Sequence, residues 1–128
     1  MAQNTYSRDQ IDAILLRNDA AVERAIVVLF QRQTSDEQSS ADTRHHNDRG
    51  FSCTDARAGT RFARFLLGMD DQNRVRFPKK SLKHPIAGRI FRRYCKNGES
   101  VMGRARRIAL KHSRQLTEEA NLKAQGAA

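Results

Sequence analysis

Tryptophan is absent from this 128-residue chain, which holds only two tyrosines, two prolines and two cysteines. With six phenylalanines and an apolar fraction of 38%, the core has to be thin, mostly aliphatic and anchored by a few phenyl rings. Cys53 and Cys95 lack the close spacing of a disulfide framework and no secretory leader precedes them, so reduced thiols in a cytosolic protein are expected. No apolar run nears the roughly 18 to 20 residues needed to cross a bilayer, which excludes a helical span and predicts a soluble protein. Acidic residues are scarce in one part only: positions 57–114 hold three against 17 basic ones, whereas positions 1–56 hold nine against six. The formal charge of +10 and the pI near 10.6 therefore arise in one half of the chain. Such a balance favours a polyanionic partner, with nucleic acid as the first candidate.

What is present is helical periodicity, in a chain whose length fits a single domain over 1–128. Residues 32–57, RQTSDEQSSADTRHHNDRGFSCTDAR, organise the rest: one helix runs into this polar stretch and another starts at its far end. Ser7 and Gln10 have capping-box spacing, and Ile11, Ile14 and Leu15 give the first helix its apolar face, ended at Asn18-Asp19. From Ala20 to about Gln38, Val22, Ala25, Ile26, Leu29 and Phe30 recur at i, i+3, i+4, i+7 and i+8, a buried stripe widened by Val27 and Val28. A polar loop is read over 39–53, with Gly50-Phe51 planting a ring in the core. Thr54 or Ser52 then caps a helix from Asp55 to Leu67 that stops at Gly68. Residues 69–84 read as a basic linker with at most a short extended piece at Arg74 to Phe77. Pro85 opens a helix reaching Lys96, Asn97-Gly98 ends it, and Ser100 starts a last helix of about two dozen residues with a frayed tail from Leu122. The expected fold is all-α, a compact bundle of four to five helices with a long polar loop between the second and third.

Cations repeat at helical spacing opposite the apolar positions. Arg57, Arg61 and Arg64 lie across from Ala58, Phe62, Phe65 and Leu66. Arg89, Arg92, Arg93 and Lys96 lie across from Ile86, Ile90 and Tyr94. Arg104, Arg107, Lys111 and Arg114 lie across from Ala105, Ile108, Ala109, His112 and Leu116. Arg74, Arg76, Lys79, Lys80 and Lys83 join them from the linker, completing the candidate nucleic-acid-binding set. An ordinary solvated face would carry Glu at i, i+4 to offset these charges, and almost none occurs. The preponderance of arginine suits bidentate phosphate contacts and base stacking. Among the aromatics only Phe77, Tyr94 and Tyr6 are placed to act as stacking platforms.

Motifs for chemistry are weak. His45-His46-Asn47 resembles the core of HNH nucleases, but paired strands to assemble such a site are missing, and the histidines read more simply as partners of nearby carboxylates or phosphates. His45 or His46 with Cys53 and Cys95 would be suitable zinc ligands, yet no paired metal-binding spacing exists. Asp36, Glu37, Asp42, Asp48 and Asp55 have no magnesium-site pattern. No catalytic residue, metal or cofactor is assigned. The Pro85–Lys96 helix, the Asn97-Gly98 turn and the next helix outline a helix-turn-helix, although Glu99 at the start of the second suits phosphate poorly and an antiparallel hairpin is the simpler reading.

The stretches RQTSDE, TRHHNDRGF from Thr43, DARAG at 55–59 and RARRIALKHSRQL resemble a group of small proteins encoded by bacteriophages and prophages. The resemblance covers about residues 18–120, with VRFPKKSLKHPIAGRIFRRYCK more cationic than the link expected there. It implies a viral or mobile-element protein in the bacterial cytoplasm, working in DNA metabolism or against host defence. Two functions are expected from these features, with a small metal-dependent nuclease at the central loop as a third and lesser alternative. One is a non-enzymatic module that binds DNA or RNA phosphates. The other is an interaction protein, an anti-CRISPR-like inhibitor docking on a host nucleoprotein complex.

Overall fold

A computed structural model describes residues 5–40 and 50–126, excepting the side chains of 35–40 and 125–126. Among these residues the architecture is all-α and compact. Six helices follow in order: α1 (Arg8–Arg17), α2 (Asp19–Ser40), α3 (Ala56–Leu67), α4 (Pro85–Ile90), α5 (Val101–Lys111) and α6 (Ser113–Gly126), with a 3-10 turn at Arg92–Tyr94.

The local signals act as expected at several ends. Both bonds of the Ser7–Gln10 capping box form at α1. Asn18 Oδ1 accepts from the Ala21 amide and so caps α2. Gly68 closes α3 in the left-handed conformation at φ 70°, which costs least where no Cβ is present. Pro85 stands at the first turn of α4, and His84 Nδ1 accepts from the Ile86 amide at 3.1 Å.

Three expectations require correction. The helix expected from Pro85 to Lys96 ends at Ile90; Phe91 leaves helical geometry and the chain tightens into the 3-10 turn. The last helix divides at His112, which lies at φ −106° and ψ 22°, so the bundle has one helix more than expected and α6 continues to Gly126. Neither Thr54 nor Ser52 caps α3; Asp55 occupies that place without a side-chain cap bond because its carboxylate is engaged elsewhere.

α2 is the central element, packed on α3, α5, α1 and α6. Its Val22, Ile26 and Leu29 are fully buried, as are Phe62 of α3 and Ile108 of α5. Small residues let the helices approach: Ala25, Ala58, Ala63, Ala105 and Ala109 are all in the core. Phe62 meets Phe91 edge-to-face at 4.9 Å, and Phe65 meets Phe91 at 5.3 Å, a geometry favoured by the ring quadrupoles. Phe51 is buried as expected; a Cβ on Gly59 would come within 2.4 Å of its ring, so glycine there makes room for the phenyl.

Candidate nucleic-acid interface

The stretch 69–84 is held at both ends. The Gly68 carbonyl accepts from the Arg76 and Phe77 amides at 2.9 Å each, and Met69 bridges to Val75. Inside this turn Asp70 accepts from the Gln72 and Arg74 amides and pairs with Arg76 at 2.8 Å and Arg74 at 3.5 Å. The backbone bond from Arg74, the Gln72 amide and the two guanidinium charges hold the Asp70 carboxyl below its usual range. At the other end Leu82 is buried, while Glu23 of α2 accepts from the Ser81 hydroxyl at 2.6 Å and the Leu82 amide at 2.8 Å. The composition suggested a linker because its basic residues dominate; of the acceptors that organise it, Asp70 lies within it and Gly68 and Glu23 outside it.

Between and beyond these anchors lie further cations. Lys79, Arg89, Arg92, Arg93 and Lys96 are exposed and Lys80 half-buried, and none of the six forms an ion pair with an acid among the described residues. Arg93 lies over the Tyr94 ring at 5.2 Å, which orients the guanidinium while leaving its charge intact. Arg57 and Arg61 are exposed on α3, and Arg64 donates to Asn73 Oδ1 at 2.8 Å.

Comparison finds no protein-family model, curated protein or solved structure that matches the chain. The site therefore rests on its own geometry.

The remaining cations of the predicted set are paired. Arg104 is only 12% exposed and Asp55 6%; they pair at 3.3 Å, while Arg104 Nε donates to the Tyr94 carbonyl at 3.0 Å. Lys111 reaches the same Asp55 carboxylate at 3.2 Å. Burial alone would raise the Asp55 carboxyl, but Lys111, with hydrogen bonds from Ser52 and Arg104, holds it below its ordinary value. Arg107 makes a two-pronged contact with Glu99 at 2.6 and 2.9 Å, which lowers the Glu99 carboxyl. Arg114 stands 4.0 Å from Glu118, and Lys83 lies 3.3 Å from Asp19. Arg106, outside the predicted set, also engages Asp19 and donates to the Leu15 carbonyl, tying α5 to the corner between α1 and α2.

The Gln33 side-chain amide donates to Thr60 Oγ1 at 3.2 Å and bridges α2 to α3. Where the chain re-emerges at Gly50, Gln115 clamps it: the side chain accepts from the Gly50 amide at 2.7 Å and donates to its carbonyl at 2.9 Å. His112 Nε2 accepts from the Ser52 amide at 3.0 Å. Residues 41–49, including His45, His46, Asn47, Asp42 and Asp48, lie outside the described residues, as do the side chains of Asp36 and Glu37, so the nuclease and metal readings placed on them are not addressed.

Sequence patterning missed an exposed apolar group beside the cations. Ile86 and Ile90, expected on a buried face, are 40% and 48% exposed, and Phe77 is 56% exposed. α4 buries Ala87 instead, and the neighbouring core side chains are Phe91 and Leu82. A groove of about 470 Å³ runs between α3, the 68–80 segment and α4, lined by Phe65, Phe77, Ile86 and Ile90 together with the cations Arg61, Arg64 and Lys80 and the acids Asp70 and Asp71. Among the described residues no helix is long and apolar enough to cross a membrane.

Proposed function

We propose that this chain is a non-enzymatic nucleic-acid-binding protein of a phage or mobile element, contacting phosphates through cations between Lys79 and Lys96. The observation that carries the reading is that Lys79, Lys80, Arg89, Arg92, Arg93 and Lys96 project from a well-anchored frame without an acidic partner among the described residues. Maintaining like charges close together costs stability, and phosphate oxygens relieve that cost. Such contacts position a protein on nucleic acid without reading bases, so binding is expected to be broad in sequence. Titration of labelled DNA and RNA at several salt concentrations tests it. A steep linear fall of log affinity with log salt is expected from counterion release; absence of binding at low salt overturns the proposal.

A second reading has an observation of its own. Val75, Phe77, Ile86 and Ile90 leave apolar surface open next to the cations, a combination that also suits docking on a host defence nucleoprotein complex. A pull-down from host lysate with and without nuclease separates the two: partners that disappear on nuclease treatment support direct nucleic-acid binding, and a stoichiometric protein that survives supports the inhibitor.

A further inference from the structure

We propose that the groove between α3, the 68–80 segment and α4 seats an unpaired base, so that the ligand is single-stranded nucleic acid and Phe77 is its stacking platform. This rests on the phosphate-binding reading above and narrows it to one class of ligand.

Phe77 is exposed but not loosely held. Its own amide and that of Arg76 both bond to the Gly68 carbonyl at 2.9 Å, and Pro78 follows at once. The ring is thereby presented from a fixed backbone, which lowers the ordering cost of stacking a ligand against it. Across the groove Ile86 and Ile90, four residues apart on α4, offer a second apolar wall. The volume of about 470 Å³ falls in the usual range of ligand pockets, roughly 300–1,000 Å³.

The lining decides the occupant. Arg61, Arg64 and Lys80 are among the residues that line the groove. Two acids, Asp70 and Asp71, line the groove as well; Asp70 is occupied by Arg74, Arg76 and two backbone amides, which leaves Asp71 against three lining cations. An apolar lining with an excess of cations over acids matches a base with its flanking phosphates. Single strands are held in this way, by aromatic faces under bases and cations along the backbone. A duplex keeps its bases stacked inside and reaches only the cations.

Full-length protein and a short labelled oligonucleotide, used alone or annealed to its complement, test the inference. The wild type is expected to prefer the single strand. Phe77→Ala should weaken single-strand binding on the order of tenfold, within the range of one stacked base, and leave duplex binding unchanged. Phe77→Trp should retain it, and because the chain has no other tryptophan, its fluorescence should be quenched by the single strand and not by the duplex. Circular dichroism of both variants controls for folding. Equal single-strand affinity in wild type and Phe77→Ala, with salt-dependent duplex binding intact, overturns the base-seating proposal and leaves phosphate binding standing. Binding to neither form overturns both, and a host protein retained after nuclease treatment and released by Phe77→Ala assigns the groove to a protein instead.

Discussion

Two cation-rich regions of this molecule share a sequence appearance and differ in what their charges do. On α5 and α6, Arg104, Arg107, Lys111 and Arg114 face Asp55, Glu99 and Glu118. Between Lys79 and Lys96, six cations face no acid among the described residues. The first group is engaged largely in holding the fold; the second is available to a ligand. A count of arginines and lysines therefore overstates the charge left free of acids among the described residues.

The comparison is broken most directly by removing the second group. Replacing Arg89, Arg92, Arg93 and Lys96 together with Ala should abolish most nucleic-acid binding and reduce the salt slope by roughly 0.9 for each duplex phosphate no longer neutralised, read by anisotropy titrations. Thermal melting should move little, because exposed side chains away from the core typically contribute within about 0.5 kcal/mol.

The mirror experiment is Asp55→Ala, which strands Arg104 in a largely buried position. A loss of about 3 kcal/mol is expected, measured by denaturant unfolding. The acid limb sharpens it. Asp55 titrates below its ordinary value in the folded state, so its contribution is complete above the unfolded carboxylate value and is lost as pH falls through the depressed folded one. Melting of Asp55→Ala should therefore depend less on pH in that window than melting of the wild type.

Smaller effects follow at partners that hold the fold without large charge burial. Gln115→Ala leaves the Gly50 amide and carbonyl without their partners, for an expected loss of about 1–3 kcal/mol in unfolding experiments. Arg107→Ala should change stability least, by under about 1 kcal/mol, because its pair with Glu99 is partly solvated. It should also leave the salt slope of binding near that of the wild type; a drop as large as in the quadruple variant would erase the distinction between the two regions.

Local chemistry made much of the fold legible. Ser7 and Gln10 announce α1, the Val22 to Phe30 stripe announces α2, and Pro85 and Gly68 mark a beginning and an end, since each signal acts within a turn or two of itself. The misread parts depend on distant residues. Asp55 and Arg104 are 49 positions apart, so nothing near Arg104 revealed that it was engaged. The break at His112 accompanies a bond from Ser52, 60 positions away. Ile86 and Ile90 had the spacing of a buried face, yet α4 turns Ala87 inward and leaves them open. The positions of the candidate site's cations were accordingly legible along the helices, but not which of them an acid across the fold engages.

Gly68 has a consequence for how this protein tolerates change. Its φ of 70° disfavours any side chain, and a Cβ there would fall 2.1 Å from the Phe77 carbonyl oxygen. Position 68 is therefore closed to substitution on two independent grounds, whereas Val75, 67% exposed, is joined to Met69 through its backbone. A saturation library should retain only glycine at 68 and accept most side chains at 75. The turn behaves as a mount with an exchangeable fitting: selection or design can alter what it displays to a ligand without rebuilding the frame that displays it.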